Sequence, residues 1–387
     1  MKSILLLAAA FAVLLSASQA QDLILVNPLS ADRTQEVIEL PLQQILARLH
    51  LPPQQASAIV AVDSATGQRI PSQLDTQASP AQLLLLVQLP AQARKRISFR
   101  ADAAAPPQQA LVFGREAPER KDDFAWENEL VAYRIYGPAL EATGEITSGI
   151  DVWSKRIPNF VIDTFYKRDA EGARTHNPAL TYHKDNGQGL DSYYVGPSRG
   201  CGGTAVFAGD RLIASKNYTR LRMLANGPIR FAFEVTYAPW NANGLSVTET
   251  KRITLDAGTH LNRIESAYTF EGSGTLDLAA AIAVHEGAAA EFPQHGSIAS
   301  VWDTPQDPSA GRIATGLVAL PGEHARTQAA DGHALLLFTR RSGQPFRYLA
   351  GSAWSKADMP GPADWNAYLK LQLNMLTHPI ARHWAGR

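Results

Sequence analysis

Between Thr181 and Gly203 the chain reads TYHKDNGQGLDSYYVGPSRGCGG. One His, two Asp, three Tyr, one Arg and six Gly gather there with the only Cys of the chain. His183 offers an imidazole that can give or take a proton. Arg199 presents a planar fork that matches a carboxylate. Tyr193 and Tyr194 offer flat rings to the apolar C–H faces of a sugar and hydroxyls to its hydroxyls. Asp185 and Asp191 add carboxylates, although Asp185-Asn186-Gly187 is also a turn signature. Acid, base, carboxylate clamp and stacking platform thus fall in one Gly-rich stretch. Each residue also has a plainer reading: a structural His, a core ring, a turn-capping Asp, an Arg paired with that Asp.

Other residues could join them. In GIDVWSKRIPNF, Trp153 and Lys155 share one face of a strand. A Trp beside a cation suits an acidic sugar; it also describes an exposed strand with a snorkelling Lys. His285 stands beside Glu286 in AVHEG, and His295 sits in the turn FPQHGS. Three successive strands carry the charged pairs Arg230/Glu234, Glu249/Lys251 and Arg263/Glu265. On neighbouring strands these would form a polar stripe, either a solvated face of ion pairs or the floor of a saccharide cleft. No cofactor is implied. Asp185, Asn186 and Asp191 would suit calcium, but the EF-hand spacing is missing.

These residue types fit chemistry on an acidic saccharide. β-Elimination needs a cation for the uronate carboxylate, a base for the C5 proton and an acid for the leaving oxygen. The expected catalytic set is His183, Tyr194, Arg199 and His285. Trp153, Lys155, Asp185, Asp191, Tyr193, Glu234, Arg263 and Glu265 are the expected substrate contacts. A glycoside hydrolase would need two facing carboxyls, available from Asp185, Asp191 and Glu234. A mutarotase or epimerase would use His285 with Glu265 or Glu234. A non-catalytic glycan-binding protein would leave His183 and Arg199 idle.

The elements that must hold these residues are strands. The 387 residues carry 36 basic and 36 acidic side chains, so no basic excess exists to neutralise nucleic-acid phosphates. Lys2, the apolar run from Ile4 to Leu15 and the small residues before Gln21 read as a secretory leader over 1–20, giving a periplasmic or secreted protein. No later apolar run has the length of a membrane helix. Cys201 has no partner for an internal disulfide. Residues 21–105 read as a small β-sandwich, 106–115 as a linker and 116–387 as a larger unit of longer strands. In IRFAFEVTY, Ile229, Phe231, Phe233, Val235 and Tyr237 face one way. Asp256-Ala257-Gly258 reads as a hairpin turn. A short helix over LQQILARLHLPP and one near 364–376 complete an all-β architecture of small sandwich and large antiparallel sandwich.

The motifs KDDFAWENELVAYRIYGPAL, GIDVWSKRIPNFVIDTFYKRD, ANGPIRFAFEVTYAPW and ITLDAGTHLNRIES, with the Gly-rich segment, resemble those of the bacterial family called domain of unknown function 4861. The resemblance covers nearly the whole chain after the leader. It implies an exported protein acting among enzymes of polysaccharide breakdown. It also implies a supersandwich similar to the galactose-mutarotase-like group, which includes mutarotases, polysaccharide lyases and glycoside hydrolase domains. The resemblance brings no catalytic residues with it, because fold does not fix chemistry.

Overall fold

Alternation decides which side of each strand is buried. In the computed structural model, which describes residues 22–305 and 307–385, strand Arg230–Ala242 buries Phe231, Phe233, Val235 and Tyr237, with Ile229 just ahead of it. The expected leader lies outside the described residues. Strand Arg230–Ala242 belongs to an eight-stranded sheet that also holds Leu245–Asp256, Leu261–Phe270 and Phe346–Trp354 in antiparallel order. Two five-stranded sheets pack on it, and one apolar core running from Phe124 and Trp126 to Phe338 and Tyr348 fills the space between. The fold is all-β: a small sandwich, then a large antiparallel one.

The middle sheet, running from Val112–Ala117 through Asp123–Asn128, Val131–Ile135 and Asp151–Lys155 to Gly189–Leu190, positions the site. Phe124, Trp126, Tyr133 and Val152 face the shared core. The opposite face carries Ala125, Ala132 and Trp153, on which Ile162, Phe165 and Tyr166 of a helix pack.

The described helices are α1 (Leu42–Leu49), α2 (Pro138–Glu141), α3 (Ile162–Thr175) and α4 (Pro362–Thr377). Helix α3 is the one on the middle sheet, and the sequence reading missed it. Its apolar residues recur at the three- and four-residue spacing of a helix, but Gly172 and the charges around it weaken the pattern. Helix α4 covers the outer face of the eight-stranded sheet with Trp365, Leu369 and Leu373.

The small sandwich pairs a four-stranded and a three-stranded sheet around its own core. Two boundaries differ from expectation. Strand Val112–Ala117 begins inside the expected linker, whose Gln108 side chain is tied to Ser72 by two backbone hydrogen bonds of 2.8 Å. The last strand, Ala381–Trp384, leaves the large unit and pairs with Leu23–Val26. It covers an edge that would otherwise present unpaired backbone groups, and Ile380 and Trp384 add to the small core. The two sandwiches also meet through Arg230, which binds Asp256 at 2.6 Å and Glu39 at 2.7 Å.

The expected three-strand charge stripe is split by parity. Glu249 and Lys251 share the face of Val247 and Ile253 and point into the core. There Glu249 accepts from Thr204 and Ser266 at 2.5 and 2.6 Å. Glu234, Arg263 and Glu265 lie on the outer face. Glu234 pairs with Arg222 at 3.1 Å, and Glu265 stands opposite Arg347. That face is a solvated array of ion pairs on the other side of the core from the cleft described next, which corrects their assignment as substrate contacts.

Candidate functional site

Three neighbouring strands of the middle sheet aim charge at one spot. Asp123, Arg134 and Asp151 share the face that carries Ala125 and Trp153, and Arg134 stands in register with Ala125 and Asp151. Its guanidinium binds Asp151 at 2.5 Å and Asp191 at 3.1 Å, and lies 3.5 Å from Asp123. Tyr182 Oη accepts from Arg134 at 3.1 Å. All four charged side chains are buried.

Three carboxyls around one guanidinium are more than burial allows to ionise together. Burial pushes the Asp123 carboxyl up to about 7, against the pull of Arg134. Burial and the neighbouring Asp151 push Asp191 well above the usual carboxylate range. The cluster therefore holds a proton near neutral pH, as a general acid must.

The cluster opens into a cleft of about 890 Å³, lined by Asp123, Arg134, Tyr136, His183, Asp191 and Tyr193. Loop residues Glu145 and Ile146 face them, and Tyr194 stands on the rim, 57% exposed. His183 is exposed on the wall with Nδ1 3.1 Å from the Asp191 carbonyl oxygen and 3.5 Å from Asp191 Oδ2. A second pocket of about 350 Å³ adjoins the first, and Ser192 and Tyr194 line both. It holds His285, whose Nδ1 contacts Asp303 and whose Nε2 lies 2.7 Å from the Tyr194 carbonyl oxygen. Burial alone would lower the His285 pKa, but the hydrogen bond and charge of Asp303 outweigh it and raise it.

Four buried polar atoms in these two cavities have no hydrogen-bond partner among the described residues: Asp123 Oδ1, Ser192 Oγ, Tyr193 Oη and Asp303 Oδ1. Buried polar groups are seldom left so, and a polar ligand would satisfy them. The Gly-rich segment is held here by close backbone approach. Gly200 adopts a φ of 56°, and a Cβ there would stand 2.1 Å from the Ile150 carbonyl oxygen.

The structure thus brings His183, Asp191, Tyr193, Tyr194 and His285 together. It removes others from the cleft. Trp153 is fully buried, stacked on Phe165 and Tyr182, because the strand face it shares with Lys155 is covered by α3. Lys155 is buried too and binds Glu127 at 2.7 Å. Glu127 in turn accepts from the backbone N–H groups of Val161 and Ile162 at the start of α3. Arg199 is buried, donating to Ser148 Oγ at 2.6 Å and to the Pro197 carbonyl oxygen, so its fork is already used inside the protein. Asp185 pairs with Arg156 and caps its own turn through the Gly187 N–H. Trp153, Lys155, Asp185 and Arg199 are corrected from site residues to structural ones.

A family model, domain of unknown function (DUF4861), matches residues 25–381. The chain belongs to the DUF4861 family. It is 33% identical over 283 residues to a protein of Formosa agariphila named "Uncharacterized protein P7", a match covering 69% of this chain and 68% of that one. Among solved structures, an α-mannosidase from Enterococcus faecalis V583 is similar over 95% of this chain and 46% of its own, with 10% identity and a TM-score of 0.49. The GH36 α-galactosidase AgaA of Geobacillus stearothermophilus is similar over 60% of this chain and 40% of its own, with 10% identity and a TM-score of 0.29. The chain spans less than half the length of either solved protein.

In this DUF4861 chain the sequence reading overlooked Asp123, Arg134, Asp151 and Asp303. A signal was present. In DDFAWEN, Phe124 and Trp126 alternate with Asp123, Ala125 and Glu127, and carboxylates on the covered face of an apolar strand need an explanation. Arg134 and Asp151 repeat the pattern on adjacent strands.

Tyr194 offers a direct test of the rim. Its side chain is exposed, and the Tyr194 group that His285 contacts is the backbone carbonyl, which Tyr194→Ala keeps. Thermal melting of that variant should stay close to the parent. Its KM should rise about three- to tenfold, the cost of one lost aromatic contact. An unchanged KM would remove Tyr194 from the site.

Proposed function

We propose that this protein is an exported carbohydrate-active enzyme that hydrolyses a glycosidic bond in the Asp123 cleft. The observation that carries this reading is a buried carboxyl lining a polar cleft, with Oδ1 unpartnered among the described residues and its pKa pushed by burial up to about 7. Asp123 protonates the leaving oxygen. In place of the second carboxyl that such enzymes commonly use, His183, oriented by Asp191, takes the proton from a water that bonds to the anomeric carbon as the leaving oxygen departs. Tyr194 supplies an exposed sugar-facing ring and hydroxyl, and the buried Tyr193 backs the cleft wall beside it. The leader over residues 1–20 supports export.

Lining charge bears on the substrate. With Asp123 and Asp191 pushed toward protonation, Glu119, Glu145 and Asp307 balance Arg120, Lys121 and Arg134 on the cleft wall. A wall with no excess of cations gives a uronate no general attraction and suits a neutral sugar. Elimination on a uronate is the second reading, favoured by Arg120 and Lys121 on the wall of the cleft that also holds His183 and Tyr194. Two cations expected to serve that task do not line this cleft: Lys155 pairs with Glu127, and Arg199 bonds inside the fold.

One assay separates the two. Neutral and uronate-containing oligosaccharides are incubated with the protein and followed for new reducing ends and for the ultraviolet absorbance of an unsaturated uronate. Hydrolysis gives reducing ends from neutral substrates without that absorbance. Absorbance rising with the reducing ends would establish elimination. Binding without either signal would make the protein a glycan-binding module.

A further inference from the structure

The smaller pocket beside Tyr194 is built like a recognition site. Asp303 is 2% exposed, with one carboxyl oxygen on His285 Nδ1 and the other, Oδ1, unpartnered among the described residues. Ser192 Oγ, also buried and unpartnered, belongs to both cavities. Glu286 and Thr304 complete a wall dominated by hydrogen-bond acceptors and hydroxyls. Both ring nitrogens of His285 already face oxygen acceptors, Asp303 on one side and the Tyr194 carbonyl on the other. The imidazole is therefore committed to holding the Tyr194 backbone and Asp303 in place. It is not free to clamp an anion.

We infer that the pocket of Ser192, Glu286, Asp303 and Thr304 is a second sugar subsite, taking a neutral ring through its hydroxyls while the adjoining ring lies over Tyr194 toward Asp123. This rests on the hydrolase reading only for the name of the reaction; the subsite itself is a matter of binding. A pair of sugar hydroxyls donates to Asp303 Oδ1 and Glu286, and Ser192 and Thr304 complete the ring's contacts. A carboxylate-bearing ring in the same place would meet the carboxylates of Asp303 and Glu286, while the nearby Arg312 guanidinium is turned onto Thr304 Oγ1 and the His285 ring onto Asp303, so acidic units are disfavoured in this subsite. The ligand is an oligosaccharide of at least two units, with its ends in different cavities and Tyr194 between them.

The test is the dependence of affinity on chain length in the Asp123→Asn variant, in which turnover is suppressed. Gluco-, manno-, galacto- and xylo-oligosaccharides of one to four units, and oligogalacturonides of the same lengths, are titrated calorimetrically. For at least one neutral series, affinity should rise about tenfold or more from one unit to two or three, the yield of one additional well-made set of contacts. Adding Asp303→Asn or Thr304→Ala should abolish that increment. Asp303→Asn also touches His285, so Thr304→Ala and melting temperatures guard against a folding artefact.

No increment in any neutral series overturns the subsite. So does an increment that survives both substitutions in variants that melt normally. Tighter binding of the uronate series overturns the neutral-sugar assignment. Retained turnover in Asp123→Asn would remove Asp123 as the acid, whereas a parent protein that turns over none of these series but shows the length increment would sink the hydrolase reading and leave the subsite standing.

Discussion

Asp123→Asn is expected to lose about two to four orders of magnitude in kcat while the protein stays folded. Removing a general acid costs that much, and Asn keeps the shape of the side chain. The pH dependence adds a second readout. With the Asp123 carboxyl titrating at about 7, the parent should lose kcat/KM as pH rises through that value, and the residual activity of the variant should lack this limb. Stability should move with activity in direction, though for a separate reason. The folded pKa lies above the unfolded value of 3.8, so the folded protein binds the extra proton. Stability from this group is complete below pH 3.8 and falls as pH rises toward 7. The loss is bounded by about 4 kcal/mol, since a tenfold change in proton affinity corresponds to about 1.4 kcal/mol. Asn never ionises and avoids the loss. Thermal melting should show the variant at or above the parent at pH 8, with the advantage shrinking toward pH 4. Full turnover would remove Asp123 from catalysis, and a variant that melts early at every pH would make it a structural residue.

Lys155→Met should be the most destabilising single change in the middle sheet. Lys155 and Glu127 have no exposed side-chain surface and bind at 2.7 Å. Removing the cation strands a buried carboxyl that burial already pushes toward protonation. Breaking a buried pair in this way costs about 3–5 kcal/mol, a fall in melting temperature on the order of 10 °C. The double variant Glu127→Gln, Lys155→Met should recover much of the loss, because neither side chain then carries a charge. It should not recover all of it, since Glu127 also accepts from the first N–H groups of α3. A single variant that melts normally but fails to turn over would return Lys155 to the substrate site.

How far the sequence went depended on the range of the signal. Strand alternation is local, so the buried face of Arg230–Ala242 was legible without any structure. The Asp256-Ala257-Gly258 turn and the C-terminal helix were legible for the same reason. Helix α3 was not, because Gly172 and its charges dilute a short apolar stripe that becomes meaningful only against Trp153. The charge stripe failed by one residue of parity: Glu249 and Lys251 fall on the apolar side of their strand, and a shift of one position reverses a side chain's face.

The sequence by itself determined that the chain builds antiparallel sheets, that its Gly-rich segment concentrates reactive side chains, and that His183, Asp191, Tyr193, Tyr194 and His285 were worth watching. Composition and periodicity carry that much because they depend on neighbours along the chain. Only the tertiary structure decided which charges are available. Arg199 and Lys155 looked like cations awaiting a carboxylate until packing showed their partners already present. Asp123 looked like one acidic residue of a strand until Arg134, Asp151 and Asp191 arrived from other strands and loops to share its burial. Its elevated pKa is a property of that meeting: desolvation and mutual repulsion among carboxyls arise only when distant segments close around the same few ångströms.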